Sequence, residues 1–227
     1  MHDIPYDNSR PASHYEHVID HLAIKRQAFA YMNELSGWCS EEKASVLIDL
    51  IIKSKPKVIL EIGVFGGKSL VPMAYALKIN KLGKIYGIDP WDTKASIEGA
   101  IDAGNKHFWA WVDHESILQH LIEKIEQFDL YEQIELIKST SEDAEPIYGI
   151  DILHIDGNHS DAASYLDVTK WAPYVQPGGV IIFDDINIPW KENGVCPTHR
   201  AVEWLNVHCS KMAEFSDQNG WGVWIKQ

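Results

Sequence analysis

The stretch Val58-Ile-Leu-Glu-Ile-Gly-Val-Phe-Gly-Gly-Lys-Ser-Leu70 decides the fold of this chain. Its first five residues form an apolar run of strand length, which follows Pro56 and is typical of a buried parallel strand. Glycines at positions 63, 66 and 67 then allow a sharp turn and the close approach of a ligand to the backbone. A helix is predicted over 68–79, and its first N–H groups favour an anionic ligand group. The stretch therefore predicts a nucleotide-binding strand, loop and helix.

The glycine spacing differs from the dinucleotide pattern G-x-G-x-x-G, because Val64 and Phe65 lie where the second glycine would admit a pyrophosphate. Glu61 adds a carboxylate that would repel a pyrophosphate, so a cofactor with a positive charge fits better. This motif resembles the first motif of the class I S-adenosylmethionine-dependent methyltransferases, particularly the catechol O-methyltransferase type. A plain turn without a cofactor is the alternative. The resemblance implies S-adenosylmethionine contacts at Glu61, Gly63, Phe65, Gly67 and Ser69.

Length and composition limit the class of protein. The chain has 227 residues, of which 45% are hydrophobic, and this suits one well-cored α/β domain. A formal charge of −13 and a sequence pI near 5.2 argue against nucleic acid or a membrane surface as a partner. The three cysteines are widely spaced, so reduced thiols in a cytoplasmic protein are expected. No signal peptide or membrane-spanning stretch is expected either.

The chain divides into an N-terminal segment, 1–55, and a predicted methyltransferase domain, 56–227. Residues 1–14 are interpreted as a loose arm, and helices are predicted over 21–35 and 40–53. Together these helices would form an extra N-terminal layer against the sheet. Trp38 and Tyr31 are assigned to core packing, with cover of the cofactor cleft or a homodimer contact as the alternative.

A second strand is predicted over 84–88, and Asp89 ends it roughly twenty residues after the glycine loop. A carboxylate at this position meets the ribose hydroxyls of an adenosine cofactor in proteins of this architecture. Trp91 follows closely and is interpreted as a wall for the adenine. An ordinary acidic strand end is the alternative for Asp89.

Residues 92–130 depart from a simple alternation of strands and helices and are rich in Trp, His and Asp. Substrates are usually recognised by extra segments at the carboxyl edge of an open sheet, so we interpret 92–130 as a substrate lid insertion. The alternative is that Trp109 and Trp111 anchor an inserted helix in the core. Surface or capping roles are assigned to His107, His114 and His120.

A third strand, predicted over 134–137, leads into Ser141 and Glu142. In the resemblance, these two residues match the pair that holds the adenine ring in catechol-type enzymes, with Glu142 in place of the family's glutamine. A serine N-cap on a following helix is the alternative interpretation of Ser141.

Two further apolar runs, 151–156 and 178–185, end in acidic residues. Because parallel strands end at one edge of a sheet, Asp156, Asp184 and Asp185 are expected to converge there. Close carboxylates repel one another unless a cation lies between them, and aspartate oxygens suit Mg²⁺. The sequence therefore predicts a Mg²⁺ site formed by these three aspartates, with a simple loop cap as the alternative.

The same positions match the metal-binding acids of catechol-type O-methyltransferases, and Asp156-Gly-Asn-His159-Ser is similar to the macrocin and sugar O-methyltransferase group of the methyltransferase domain 24 family. In that resemblance His159 is the general base, a role that suits imidazole near neutral pH. A capping or metal-shell histidine is the alternative. Asp156 is also expected beside the cofactor, and His154 is interpreted as buried structure.

The fold class expected is α/β, with a Rossmann-like, doubly wound and mostly parallel seven-stranded sheet. A helix over 198–206 and strands over 212–216 and 222–225, joined at Asn219-Gly220, predict an antiparallel C-terminal hairpin. The function expected from the resemblance is Mg²⁺-dependent O-methylation of a small hydroxylated molecule by S-adenosylmethionine. A cofactor-binding protein without methyl transfer and a nicotinamide-dependent oxidoreductase are the alternatives, because a fold does not fix a function.

Overall fold

The computed structural model describes residues 13–99, 103–188 and 195–227, and it describes side chains from residue 21 onward within these ranges. Its seven strands are β1 Val58–Ile62, β2 Lys84–Asp89, β3 Ile134–Lys138, β4 Ile150–Ile155, β5 Val175–Asp184, β6 Cys209–Phe215 and β7 Trp221–Lys226. They form one sheet in the order β3-β2-β1-β4-β5-β7-β6. The first five strands run parallel, and β7 is antiparallel to β5 and β6. The predicted fold class is confirmed.

Eight α-helices accompany the sheet in these ranges: α1 Ser13–Met32, α2 Glu41–Ser54, α3 Leu70–Asn80, α4 Thr93–Ile97, α5 Ala103–Trp111, α6 His114–Gln127, α7 Asp161–Trp171 and α8 His199–His208. Ser40 caps α2, and Ser160 caps α7, through their side-chain oxygens. Pro72 lies in the first turn of α3, where the missing N–H has no helical partner to lose. Predicted and observed ends differ mostly by one to three residues, as expected for helix ends that depend on tertiary contacts.

Alternate residues of the central strands face opposite cores. Ile59 and Ile182 lie in the core formed with α1, α2, α3 and α6, whereas Leu60 and Ile181 lie in the core formed with α7 and α8. This alternation follows from the period of two along a strand. Both faces of the sheet are therefore covered, as a doubly wound sheet requires.

The N-terminal helices belong to the first of these cores. Leu47, Ile48 and Ile51 of α2 are at most 1% exposed and share one hydrophobic cluster with Met73 and other residues of α3. Residues 1–12 of the expected arm lie outside the described residues, but α1 already includes Ser13 and the following position, which were expected in the arm.

The expected lid segment divides into two structurally different parts. Helix α6 buries Leu118, Leu121 and Ile125 and lies in the crossover connection between the parallel strands β2 and β3, a connection that is usually helical. Helix α5 buries none of its residues, and Trp111 is 79% exposed. Core anchoring by Trp111 is therefore wrong, and the substrate lid over 92–130 stays a prediction.

Candidate active site at the carboxyl edge of the sheet

The carboxyl ends of β1, β2 and β4 meet through backbone hydrogen bonds. The N–H of Gly63 donates to the carbonyl of Ile88 at 2.9 Å, and the N–H of Asp156 donates to the carbonyl of Ile62 at 2.8 Å. The loops that follow these strands are thereby fixed side by side. This arrangement gathers the predicted residues of three motifs at one edge, where ligands bind in open α/β sheets.

Two of the three glycines of the first motif have conformations that only glycine adopts easily. Gly63 has φ +86°, and a Cβ placed there would lie 2.1 Å from the carbonyl oxygen of Asp156. Gly67 has φ +82°, and its Cβ would lie 2.4 Å from a methyl carbon of Leu121. The immediate reason for glycine at both positions is thus close packing within the protein, in addition to any approach of a ligand.

Asp89 and Trp91 lie against the glycine loop. The carboxylate of Asp89 accepts the N–H of Phe65 at 2.9 Å and the N–H of Trp91 at 2.7 Å, and the indole of Trp91 donates to the carbonyl of Phe65 at 2.8 Å. Burial raises the pKa of Asp89 against the opposing effect of these N–H groups. Trp91 is 4% exposed, so its ring is buried against the glycine loop.

Ser141 lies in a turn after β3 and not at a helix N-terminus, so the expected alternative of a helix cap is wrong. Its hydroxyl donates to Asp167, a 2% exposed carboxyl on α7 whose pKa burial raises to about 7. Lys170 donates to the carbonyls of Ser141 and Glu142. Helix α7 therefore fixes the turn through Asp167 and Lys170. The sequence motif did not indicate these contacts.

A chain of buried polar side chains connects the glycine loop with the end of β5. Ser69 donates to Glu61 at 2.5 Å, and Nδ1 of His154 lies 2.9 Å from the same carboxylate oxygen. Nε2 of His154 lies 2.8 Å from Oδ2 of Asp184, and the ammonium of Lys43 also donates to this oxygen. Glu61 and His154 are neighbours across β1 and β4, and both are fully buried. His154 is thus buried, as expected, but as the centre of a polar chain.

The other carboxylate oxygen of Glu61, Oε2, is buried and has no hydrogen-bond partner in the described structure. A buried carboxylate oxygen is costly to leave unpaired. It lies on the residue that the sequence assigns to the cofactor, at the start of the glycine loop. An ammonium or N–H group of a bound ligand would satisfy it.

Asp185 and His159 form a second polar group nearer to solvent. Nε2 of His159 lies 2.7 Å from Oδ2 of Asp185, and His159 is 36% exposed. Asp185 has φ +55°, an unusual conformation for a residue other than glycine. Asn219 donates to its Oδ1 at 2.8 Å, and the hydroxyl of Thr198 donates to its carbonyl at 2.8 Å. These two contacts hold the strained backbone in place.

The three predicted metal ligands do not form a single set. Among the described residues, candidate ligand atoms within 4.8 Å of one another form the groups His154, Asp156, Asp184 and Asp156, His159, Asp185. The left-handed backbone at Asp185 directs its carboxylate to His159, whereas Asp184 contacts His154 and Lys43. Asp156 belongs to both groups, and the binding of one Mg²⁺ ion by all three aspartates stays a prediction.

Opposite charges set the protonation of both histidines. For His154, burial and Lys43 lower the pKa, but Asp184 and Glu61 outweigh them and raise it to about 9. For His159, burial lowers the pKa, but the hydrogen bond and charge of Asp185 raise it to about 9. Burial and the charge of Asp184 raise the pKa of Asp156. Asp184 moves the other way: Lys43 and His154 hold its pKa below the usual range despite burial.

Aromatic side chains cover the glycine loop on its outer side. The rings of Trp38 and Phe65 stack with centroids 5.2 Å apart, and Trp109 meets Phe65 edge to face at 5.6 Å. Trp38 is 58% exposed, so its assignment to the core is wrong and its place is over the loop. His114 stacks on Trp109, is 6% exposed, and has a buried Nε2 without a partner in the described structure. A surface role for His114 is therefore also wrong.

Lys43, Asp167 and His114 are the residues of this edge that sequence reasoning missed as parts of the site. Lys43 and Asp167 each carry a charge at a position where the helix pattern expects an apolar residue. This mismatch is the sequence signal that could have identified them. His114 follows Asp113, which caps α6 and so marks the helix start.

A parallel sheet that gathers a glycine-rich loop and strand-end acids at one edge, completed by an antiparallel C-terminal hairpin, is the architecture of the class I S-adenosylmethionine-dependent methyltransferases. The model of the methyltransferase domain family Methyltransf_24 matches residues 60–186, more than half of the chain. The chain belongs to this family, and the resemblance found in its motifs is confirmed.

One curated relative and two solved structures are similar to this chain, and the solved structures agree with the assignment of the fold. The uncharacterized protein R132 of Acanthamoeba polyphaga mimivirus is 36% identical over 126 residues, which are 56% of this chain and 50% of that protein. The O-methyltransferase TomG from Streptomyces achromogenes, solved with SAM, has a TM-score of 0.60 at 18% identity and covers 92% of this chain and 90% of its own. The O-methyltransferase from Bacillus cereus, solved with SAH, has a TM-score of 0.61 at 18% identity, covering 97% and 94%.

None of the helices in the described parts of the chain has the length and apolarity that crossing a membrane requires.

Proposed function

We propose that this chain transfers a methyl group from S-adenosylmethionine to a hydroxyl group of a small molecule. The observation that carries the proposal is the meeting, at one sheet edge, of the glycine loop with Asp89 and of the group formed by Asp156, His159 and Asp185. The glycine loop with Asp89 suits the binding of an adenosine cofactor. The group of two carboxylates and a histidine suits the binding and deprotonation of an acceptor hydroxyl. The solved relatives named as O-methyltransferases, which were crystallised with SAM or SAH, support the same reaction.

The residues proposed to hold the cofactor are those of the first three motifs. The loop from Gly63 to Ser69 provides the backbone approach, Asp89 the ribose contact, and the turn at Ser141 and Glu142 the adenine contact. The unpaired oxygen of Glu61 fits the ammonium group of this amino-acid-derived cofactor. When bound, S-adenosylmethionine supplies a methyl group activated by the positive sulfur.

Mg²⁺ is the ion that we propose for the acceptor side. The donor chemistry of the half-buried group fits it: Asp156 and Asp185 offer hard carboxylate oxygens, and the remaining positions of such an ion are usually filled by water. An ion there would lower the pKa of an acceptor hydroxyl. Asp184 is not part of this set, because its Oδ2 already accepts from Lys43 and His154.

His159 is the proposed base. Asp185 fixes its ring through Nε2, and this leaves Nδ1 of the neutral ring as the nitrogen that takes the proton of the acceptor hydroxyl. Because Asp185 raises the pKa of His159 to about 9, the neutral ring becomes the main form only above that pH, and we expect methyl transfer to quicken as the pH rises towards 9. Asn219 and Thr198 hold Asp185, so the orientation of the base depends on the C-terminal hairpin and on the start of α8. Trp38, Phe65 and Trp109 cover the loop and exclude water from its outer side.

The proposal is tested by binding and by transfer of a labelled methyl group. S-Adenosylhomocysteine should raise the melting temperature, whereas NAD should not. With panels of catechols and sugar diols, His159→Gln should lose on the order of 100-fold in kcat or more but keep cofactor binding. His208→Gln is the matched control, because His208 is exposed and its contacts are with Trp204, through the carbonyl and the stacked ring, and not with the candidate site.

Three results would contradict the proposal in different ways. Stabilisation by NAD instead of S-adenosylhomocysteine would indicate an oxidoreductase. Cofactor binding without methyl transfer to any hydroxyl would indicate a cofactor-binding protein that does not transfer. Full activity of His159→Gln would remove His159 from the mechanism.

A further inference from the structure

The ammonium of Lys43 lies inside the acid cluster at the edge of the sheet. The side chain of Lys43 is 3% exposed; its Nζ donates to Oδ2 of Asp184 and lies 3.8 Å from Oδ2 of Asp156. A buried ammonium is costly unless carboxylates compensate it. Asp184 and Asp156 provide this compensation, and they raise the pKa of Lys43 above its ordinary value despite burial.

Helix α2 delivers Lys43 to this position and is anchored by the C-terminal hairpin. The hydroxyl of Ser40, the N-cap of α2, donates to Asp217 at 2.8 Å, and its N–H donates to Gln218 at 3.0 Å. The same hydroxyl accepts the N–H of Lys43 at 3.0 Å. The ammonium also lies 5.9 Å from the ring centroid of Trp221 on β7. The position of the charge is thus set by several contacts rather than by a flexible surface chain.

The lysine occupies the place where an ion shared by Asp156 and Asp184 would lie. Oδ2 of Asp184 contacts both Lys43 and His154, and the group His154, Asp156, Asp184 is one of the two candidate ligand sets. A divalent ion in that set would stand within a few ångströms of a fixed positive charge, which is strongly unfavourable at low dielectric. Lys43 therefore disfavours a metal ion in the set that contains Asp184. The more exposed set, which contains His159 and Asp185, stays available to an ion.

We propose that Lys43 is a positioning residue of the part of the site that would bind the methyl acceptor. Its fixed ammonium prevents a divalent ion from binding between Asp156 and Asp184, and it holds Asp156 in place. The proposal rests on the proposed function, because only methyl transfer to a hydroxyl makes Asp156 part of an acceptor site. Its test is a measurement of ion binding, so it can fail or succeed whether or not methyl transfer is found. A lysine with a merely structural role would make no difference to ion affinity.

The experiment is a calorimetric titration of the full chain, saturated with S-adenosylhomocysteine, with Mn²⁺ as the probe ion. Lys43→Met should bind Mn²⁺ roughly tenfold more tightly or better than the unchanged protein, because two carboxylates lose their internal cation. Adding Asp184→Asn to Lys43→Met should abolish the gain, and Lys43→Arg should keep the original affinity. Lys25→Met is the matched control, because Lys25 is a part-buried lysine paired with Asp49, which belongs to neither candidate ligand set.

Equal or weaker Mn²⁺ binding by a folded Lys43→Met protein would overturn the proposal. Lys43→Gln, which keeps a hydrogen-bond donor but not the charge, is the second variant. If both variants fold only when Mn²⁺ is present, the ion replaces the ammonium and the proposal holds. If both fail to fold with and without Mn²⁺, Lys43 is a purely structural partner of Asp184 and the proposal is wrong.

Discussion

His154 shows how a single buried residue couples the two halves of the site. Its ring joins Glu61 at the glycine loop to Asp184 at the end of β5, with contacts of 2.9 and 2.8 Å. Both partners are acidic, and the charge of the imidazolium compensates them where water cannot. The protonated form is therefore the stable form of His154 in the folded chain.

This protonation predicts a pH dependence of stability. The pKa of His154 is about 9 in the folded chain and about 6.5 in the unfolded chain, so between these values the folded state binds the proton more tightly. The resulting stabilisation is fully present below about pH 6.5 and is lost as the pH rises through about 9, and it is on the order of 3 kcal/mol. Urea unfolding across this window should show the free energy of unfolding falling as the pH rises. His154→Gln should have a flatter profile, whereas His208→Gln should keep the original slope. Equal slopes for all three proteins would refute the assignment.

At the scale of elements, helix α2 is the part of the chain that completes the site from outside the matched motifs. Its buried face packs on α3, and its N-terminus is fixed to the turn between β6 and β7 through Ser40. The turn contains three consecutive residues with positive φ, Gln218, Asn219 and Gly220. One hairpin turn thus holds both Lys43, through α2, and Asp185, through Asn219.

Ser40→Ala tests this element. The change removes the N-cap of α2 and the contact with Asp217, and we expect it to lower the free energy of unfolding by about 1–2 kcal/mol. Ser54→Ala is the control on the same helix, because its hydroxyl makes only an exposed bond to the carbonyl of Leu50, and it should change stability by less than about 0.5 kcal/mol. Urea unfolding of both variants provides the measurement, and equal effects would show that the anchor does not stabilise α2.

At the scale of the whole molecule, the division at residue 55 does not separate independent units. Leu47, Ile48 and Ile51 are buried in the same core as α3, and Lys43 compensates Asp184 on β5. A chain without the N-terminal helices would expose the apolar face of α3 on which these residues pack, and it would leave the buried carboxylate of Asp184 without its cation.

We therefore predict that residues 56–227 alone do not unfold cooperatively. Thermal unfolding followed by circular dichroism should lack the sharp transition of the full chain. In the full chain, Leu47→Ala should cost about 2–5 kcal/mol, since Leu47 is 1% exposed, whereas Val46→Ala, at an exposed neighbouring position, should cost much less. A sharp transition for 56–227 would show that the methyltransferase domain folds without these helices.

The sequence by itself determined the class of fold and which strand-end residues lie at the carboxyl edge of the sheet. The strand pattern around Val58, the glycines at 63 and 67, and the acids at the ends of β2, β4 and β5 are local signals, and parallel topology brings strand ends to one edge without further information. The same topology explains why Asp89 and Asp156 lie beside the loop that starts at Gly63.

The tertiary structure alone decided which charges face one another. Lys43 and Asp184 are 141 residues apart in the chain, and no local pattern relates them. The left-handed backbone at Asp185 depends on contacts from Asn219 and Thr198, and it separates two adjacent aspartates into different groups. Local patterns specify where a side chain lies along a strand or helix, but the partner of a buried charge is chosen by the packing of distant elements, because only the folded chain excludes water from it.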